Sequence, residues 1–427
     1  MVSELNRIGA AEIARRIRAG ETSAEAVMQA CLERIEAREP AIGAFTSIDP
    51  GAALEAARRA DREEPTGALH GVPFGIKDII DTENYPTGWG TSVYAGQRPV
   101  RNASCVELFL RAGAIPVGKT VTTEFAYFRP GKTANPHNTA HTPGGSSSGS
   151  AAAVADFMLP LAFGSQTAAS LIRPAAYCGI PGYKASHGDF DLQGVMALSP
   201  CMDTLGLLAR EIEDFEIARS VLCGSHPVLL RDPEESPPRI SLFRGPHWND
   251  GSLEMRDVCQ RAMTRLQQAG AITGELACPD IFTELTECQK TVMAYETAHA
   301  RIFEYSRYRD RISDQFRDLV ETGLTVTREA YEAACATRDR AARLLAGMFS
   351  DIDVILTPAA PGEAPAGLDA TGDPLFSRGW NLLRVPCVSI PFGLGPNGLP
   401  LSVQLVGPMH DDDRLLAIAA WVRAQLR

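Results

Sequence analysis

The chain has 427 residues, enough for one large α/β enzyme domain or for two to three average ones, and a sizeable core is no obstacle at that length. Hydrophobic residues at 45% and charged residues at 22% exclude disordered, collagen-like and coiled-coil chains. A formal charge of −11 with no Lys/Arg block argues against nucleic acid as a partner.

The N-terminal MVSELNRIGAAEIARRIRAG is charged every few residues, unlike a signal peptide. Residues 10–37 place Ile13, Ile17, Val27, Leu32 and Ile35 at helical spacing, with Thr22-Ser23 as a cap between two helices. From Leu69 the texture changes. GVPFGIKDII, AIPVGK and MLPLAFG are short apolar runs bounded by Gly and Pro, alternating with helical stretches such as 102–112, which is the α/β pattern. The longest weakly polar stretch, Ala151 to Gly164, is broken by Asp156 and Pro160 and is too short to span a bilayer, so the expected location is the cytoplasm, with no membrane partner.

The small-residue segments at 142–155 and 164–179 run into an Ala-rich helix and into Ile-Arg-Pro, which a flexible linker would not do. Residues 253–348 predict helices interrupted near Pro279 and Gly323. DVILTP (353–358) and PCVSIPFGL (386–394) predict buried strands, and Asp413 to Leu426 a closing helix. No linker stands out, so 1–427 is expected to form a single intertwined domain: N-terminal helices over 1–68, a core over 69–220, a mainly helical part over 250–350, and C-terminal strands and a helix over 351–427. Ten cysteines without a CxxC pair predict reduced thiols, with neither a disulfide framework nor a metal site.

Gly145-Ser146-Ser147-Ser148-Gly149 matches the G-x-S-x-G nucleophile elbow. That elbow follows a buried strand, whereas here NPHNTAHTP precedes it. No Gly-Lys-Ser/Thr follows, which rules out a P-loop. None of the eight histidines sits in an apolar or Gly-rich setting that marks it as a base. A lysine serves as a base at neutral pH only when burial disfavours its ammonium form, and Lys77 lies in the apolar run Val72, Pro73, Phe74, Ile76, Ile79, Ile80. Taken alone, Lys77-Asp78 reads as an ordinary exposed ion pair.

The ordered series GVPFGIKD, PGGSSSGSAAAVA, GSQTAASLIRPAAYCG, DVILTP and LPLSVQLVGPMHDDDRLL resembles the amidase signature family over essentially the whole chain. The resemblance implies an amidase signature fold, a mixed β-sheet core flanked by α-helices, and a cofactor-free amide hydrolase. It also implies a catalytic triad of Ser170 as nucleophile, Ser146 as the bridging serine after a cis peptide, and Lys77 as base. Thr167, Ala168, Ala169 and Ser170 would supply oxyanion-hole N–H groups. Family members commonly have Gly-Gly where this chain has Ala168-Ala169, and alanine penalises φ > 0, so a strained hole relieved by Ala169→Gly is the expectation. Gln166 and Arg173 stand where malonamidase-like members have the same residues, and are the expected substrate-binding residues, with Arg173 on a substrate carboxylate.

The expected substrate is a small amide of the malonamate kind, and the pocket walls are expected from residues 280–350 and a loop over Phe376 to Leu383. Two rivals remain. One is an amidotransferase-type glutaminase subunit passing ammonia to a partner, which the net charge and the early finish after LAIAAWVRAQLR disfavour. The other is a catalytically weakened amide-binding homologue, motivated by Ala168-Ala169. Neither length nor composition decides between a monomer and a homodimer.

Overall fold

A computed structural model describes residues 4–224 and 237–427; the first three residues of the N-terminal segment lie outside it. Among the described residues no helix is long and apolar enough to cross a membrane. The first helical region forms as predicted, with Ser23 capping the Ala24–Ile42 helix through a 3.0 Å bond from the Ala26 N–H to its hydroxyl.

Eleven strands make one mixed sheet: β1 (Phe45–Ile48), β2 (Pro73–Lys77), β3 (Ile115–Thr120), β4 (Leu161–Gln166), β5 (Gly182–Lys184), β6 (Thr204–Ala209), β7 (Arg239–Phe243), β8 (Ile272–Leu276), β9 (Val354–Pro358), β10 (Cys387–Leu394) and β11 (Pro400–Val406). Their order is β1-β3-β2-β4-β6-β5-β10-β11-β9-β7-β8. Strands β2, β3 and β4 are parallel, so the ends carrying Lys77 and Gln166 emerge at one edge of the sheet, where open α/β sheets bind ligands. The inner strands are mostly apolar because both faces are covered; β2, β4 and β6 are buried at every position, the polar ends of β2 and β4 included.

The segment 142–155 is no linker. Its Ser148–Ala155 helix is almost wholly buried, and small side chains are what let it lie so close to the strands. A Cβ on Gly149 would stand 2.1 Å from the Ala44 carbonyl oxygen.

Two expectations for 253–348 need correction. Ile272–Leu276 is a strand, paired in parallel with β7 at the sheet edge; none of its residues is buried, so it has no apolar periodicity to announce it. The break expected near Gly323 falls at Val326-Thr327, between the Asp314–Thr325 and Arg328–Met348 helices, and Gly323 itself is not what makes it. The glycine lies inside the Asp314–Thr325 helix where that helix crosses Leu285–Ala300, and a Cβ there would stand 2.0 Å from the Ala294 carbonyl oxygen. The predicted loop over Phe376 to Leu383 is mostly helix, Leu375–Leu382.

Candidate active site

Lys77 ends β2 with 0% exposure. Its ammonium nitrogen lies 2.6 Å from Ser146 Oγ and 2.8 Å from Ser165 Oγ. It does not pair with its neighbour Asp78, whose carboxylate turns to Lys119 at 3.4 Å. Burial pushes the Lys77 pKa down to about 7, against the opposing pull of the Asp203 carboxylate. A lysine so placed is substantially unprotonated at neutral pH.

Ser146 follows a cis peptide bond from Gly145, in a polar loop that leads into a buried helix, so the G-x-S-x-G match is not a strand-to-helix elbow. The Ser147 N–H donates to the Ser170 carbonyl at 3.1 Å, tying this loop to the one that carries Ser170. No hydrogen bond joins the Ser146 and Ser170 hydroxyls. The Ser170 hydroxyl has no partner among the described residues, and the residue lines a narrow pocket with Ala126, Tyr127, Phe128, Thr167, Ala168, Ala169, Arg173, Leu198, Met293 and Pro374. Only Met293 of the expected 280–350 wall and Pro374, just before the 376–383 segment, reach it; the core supplies the rest.

The turn from β4 to Ser170 is held from beneath. Gln166 does not line the pocket: its Oε1 accepts the Leu171 and Ile172 N–H groups at 3.1 and 3.0 Å, closing the loop. Thr167 donates its hydroxyl to Asp203 at 2.5 Å. Its carbonyl accepts two buried amides, Asn381 Nδ2 at 2.7 Å and Gln289 Nε2 at 3.1 Å. In a trans peptide the C=O and the following N–H point in opposite directions. Pinning the Thr167 carbonyl away from the pocket therefore aims the Ala168 N–H toward it. The N–H groups of Ala168, Ala169 and Ser170 donate to no acceptor among the described residues.

The expected strain is absent. Neither Ala168 nor Ala169 has a positive φ, so both alanines adopt a conformation open to any L-residue. Ala169→Gly is accordingly expected to leave kcat unchanged or lower it a few-fold, and to cost about 0.4–1 kcal/mol of stability by loosening the unfolded chain. A higher kcat in steady-state assays would restore the strained-hole reading.

Arg173 is 2% exposed. Its guanidinium donates to the Gly145 carbonyl at 2.7 Å, Thr371 Oγ1 at 2.9 Å and the Gly372 carbonyl at 2.5 Å, leaving Nε buried without a partner. Residue reasoning missed Ser165, Asp203, Gln289 and Asn381. Ser165 alone left a trace, as a polar residue inside a buried strand; the others reach the site from distant segments.

A buried lysine beside a serine, a second serine open to a pocket and three unused backbone N–H groups at its side are the kinds of group that acyl transfer from an amide requires. The amidase family model matches residues 26–416, and the chain belongs to that family. It is an amidase, a hydrolase of amide C–N bonds. It is 31% identical to a glutamyl-tRNA(Gln) amidotransferase subunit from Acidothermus cellulolyticus, over 100% of this chain and 96% of that one. A crystal structure of an amidase superposes with a TM-score of 0.90 at 27% identity, covering 98% of this chain and 100% of the other. The peptide amidase of Stenotrophomonas maltophilia gives 0.83 at 25% identity, covering 98% and 97%.

Proposed function

We propose that this amidase cleaves the C–N bond of a small linear amide through an acyl-enzyme on Ser170. The observation that carries this is Lys77, buried with no acidic partner within 4 Å among the described residues and 2.6 Å from Ser146 Oγ. Ser170 attacks the carbonyl while its proton passes to Ser146 and that of Ser146 to Lys77. The developing oxyanion is met by the N–H groups of the Ala168 to Ser170 turn, with Thr167 at its head. Lys77 returns the proton through Ser146 to the leaving amine; water then repeats the sequence on the ester and releases the acid. The acyl portion carries a carboxylate, a reading supported by the positive charge of buried Arg173 on the pocket wall, whose hydrogen-bond partners among the described residues are two carbonyls and a hydroxyl, so that no carboxylate among them offsets its charge. Malonamate is the simplest amide of this class.

Two measurements test it together. Ammonia release is screened over mono- and diamides, half-amides and aryl amides, and a fluorophosphonate label is mapped by mass spectrometry. Turnover with the label on Ser170 is expected; turnover with no label on Ser170 removes the nucleophile assignment, and neither signal makes the chain an amide-binding homologue.

The pH profile follows from Lys77. The base must be neutral, so kcat/KM should fall roughly tenfold per pH unit below about 7, the value to which burial pushes this lysine. An acidic limb below pH 5 would mean that another group accepts the proton.

The similarity to the tRNA-dependent amidotransferase favours a second reading, a glutaminase that hands ammonia to a partner. Glutaminase activity that rises only when candidate partner proteins are added would establish it. Activity on small amides by the isolated chain favours the hydrolase.

A further inference from the structure

Beside the Ser170 pocket lies a wider, open vestibule, which shares Phe128 and Pro374 with it and is also lined by Thr371, Gly372, Lys290 and Arg378. Two guanidinium groups flank the Phe128 ring, with Arg173 Cζ 5.8 Å and Arg378 Cζ 5.9 Å from its centroid. The two charges therefore lie within twice that distance of each other.

They are committed differently. Arg173 spends its donors on the Gly145 carbonyl and on Thr371-Gly372, and so holds the peptide that precedes Ser146. Arg378 is 7% exposed, and Gln289 Oε1 is its one hydrogen-bond partner among the described residues. No carboxylate stands within 4 Å of it there: Asp369 and Asp373 line the same vestibule farther off, and Lys290 pairs with Glu287. A guanidinium this far out of water, with most of its N–H fork unused, lacks the anion that would compensate its desolvation. Burial lowers its pKa accordingly.

Building on the Ser170 acyl-enzyme reading above, we propose that Arg378 receives the substrate's carboxylate in the vestibule, and that the preferred substrates are half-amides of dicarboxylic acids longer than malonate. Arg378 lines the vestibule and not the Ser170 pocket, and Phe128 and Pro374 line both, so a spacer running from an acyl group on Ser170 to Arg378 has to pass from one space into the other, and the single methylene of malonamate is expected to fall short. Gln289 ties Arg378 to the Thr167 carbonyl, so an acid seated there also braces the turn beside Ser170.

The test uses half-amides with one to four methylenes between amide and acid, each against a neutral amide of matched length. The acid-to-neutral ratio of kcat/KM is expected to rise from malonamate to glutaramate and adipamate. Arg378→Gln should cut that ratio for the longer half-amides by about 10–100-fold, mainly through KM, and Arg378→Lys should recover part of it. Arg173→Lys should instead slow acidic and neutral amides alike. A ratio unmoved in Arg378→Gln, or highest for malonamate, overturns the proposal, as does an equal loss on both classes, which would make Arg378 a brace for Gln289. Calorimetric binding of malonate, glutarate and adipate to the unmodified protein needs neither turnover nor a folded variant. Tightest binding of malonate, or no binding of any of them, overturns the proposal even if the Ser170 mechanism stands; glutarate binding with no ammonia released from any amide would sink the mechanism alone.

Discussion

Ser170→Ala and Lys77→Ala are each expected to remove nearly all amide turnover, by roughly 10⁴-fold or more, and the double variant should be little worse than either single one. The reason is that one proton travels through the set: without the nucleophile no acyl-enzyme forms, and without the buried amine nothing takes the proton that Ser146 relays. Ser146→Ala should fall in the same range, because Ser146 is the group within 2.6 Å of Lys77 Nζ. Lys77→Ala also leaves the Ser165 hydroxyl without its 2.8 Å partner, so thermal melting must accompany the kinetics. Single-turnover assays on the folded variants decide the matter. Losses that multiply in the double variant would show two independent contributions in place of a relay, and a Ser170→Ala enzyme near parental rate would move the nucleophile elsewhere.

The second large effect is expected at a residue that touches no substrate. Asn381→Ala deletes the 2.7 Å donor to the Thr167 carbonyl and leaves Gln289 to hold that peptide alone. Losing an oxyanion donor outright costs about 10²–10³ in rate, so a donor that has swung partly out of line should cost about 10–10²-fold in kcat, with KM little changed. The Met202 carbonyl loses its 3.1 Å amide partner as well but keeps the Thr204 hydroxyl at 3.2 Å, so no acceptor is left bare and each lost bond should cost about 0.5–1.5 kcal/mol of stability. Combining Asn381→Ala with Gln289→Ala should lower kcat by more than the product of the single effects, because each restrains the same peptide. A kcat within twofold of the parent would mean that Asp203 orients the turn through the Thr167 hydroxyl alone.

What could be read in advance was what local composition dictates. The run around Lys77 is apolar enough to force the residue inside, and β2 is indeed buried at every position; burial then turns an ordinary ion-pair sequence into a candidate base. The Gly-Ser-rich stretch before Ser148–Ala155 could be placed because its resemblance to other amidases is local and dense. Sequence misleads where residue identity underdetermines geometry. Alanine at 168 and 169 says nothing about φ until the loop is seen. Gly323 reads as a break, although what it provides is space at a helix crossing. Gln289, Asn381 and Arg378 are single polar residues on amphipathic helices, and their meaning lies in contacts with residues more than eighty positions away.

The strand order has a consequence for biosynthesis. The hairpin of β10 and β11 is inserted between β5 and β9, pairing Cys387 with Lys184 and Val403 with Pro358. A ribosome that has made the first two hundred residues has therefore exposed Lys77, Ser146 and Ser170 together with an uncovered β5 margin, a ready template for wrong pairing. Of the two donors that orient the Thr167 peptide, Gln289 emerges well after Ser170, and Asn381 later still, just ahead of that hairpin. Non-local closure of this kind is slow, so the nascent chain passes through a stage in which Ser170, the proposed nucleophile, is already present and the Thr167 peptide is not yet held by Asn381. The sheet, and with it the full set of contacts around the candidate site, is closed only by the last part of the chain to be made.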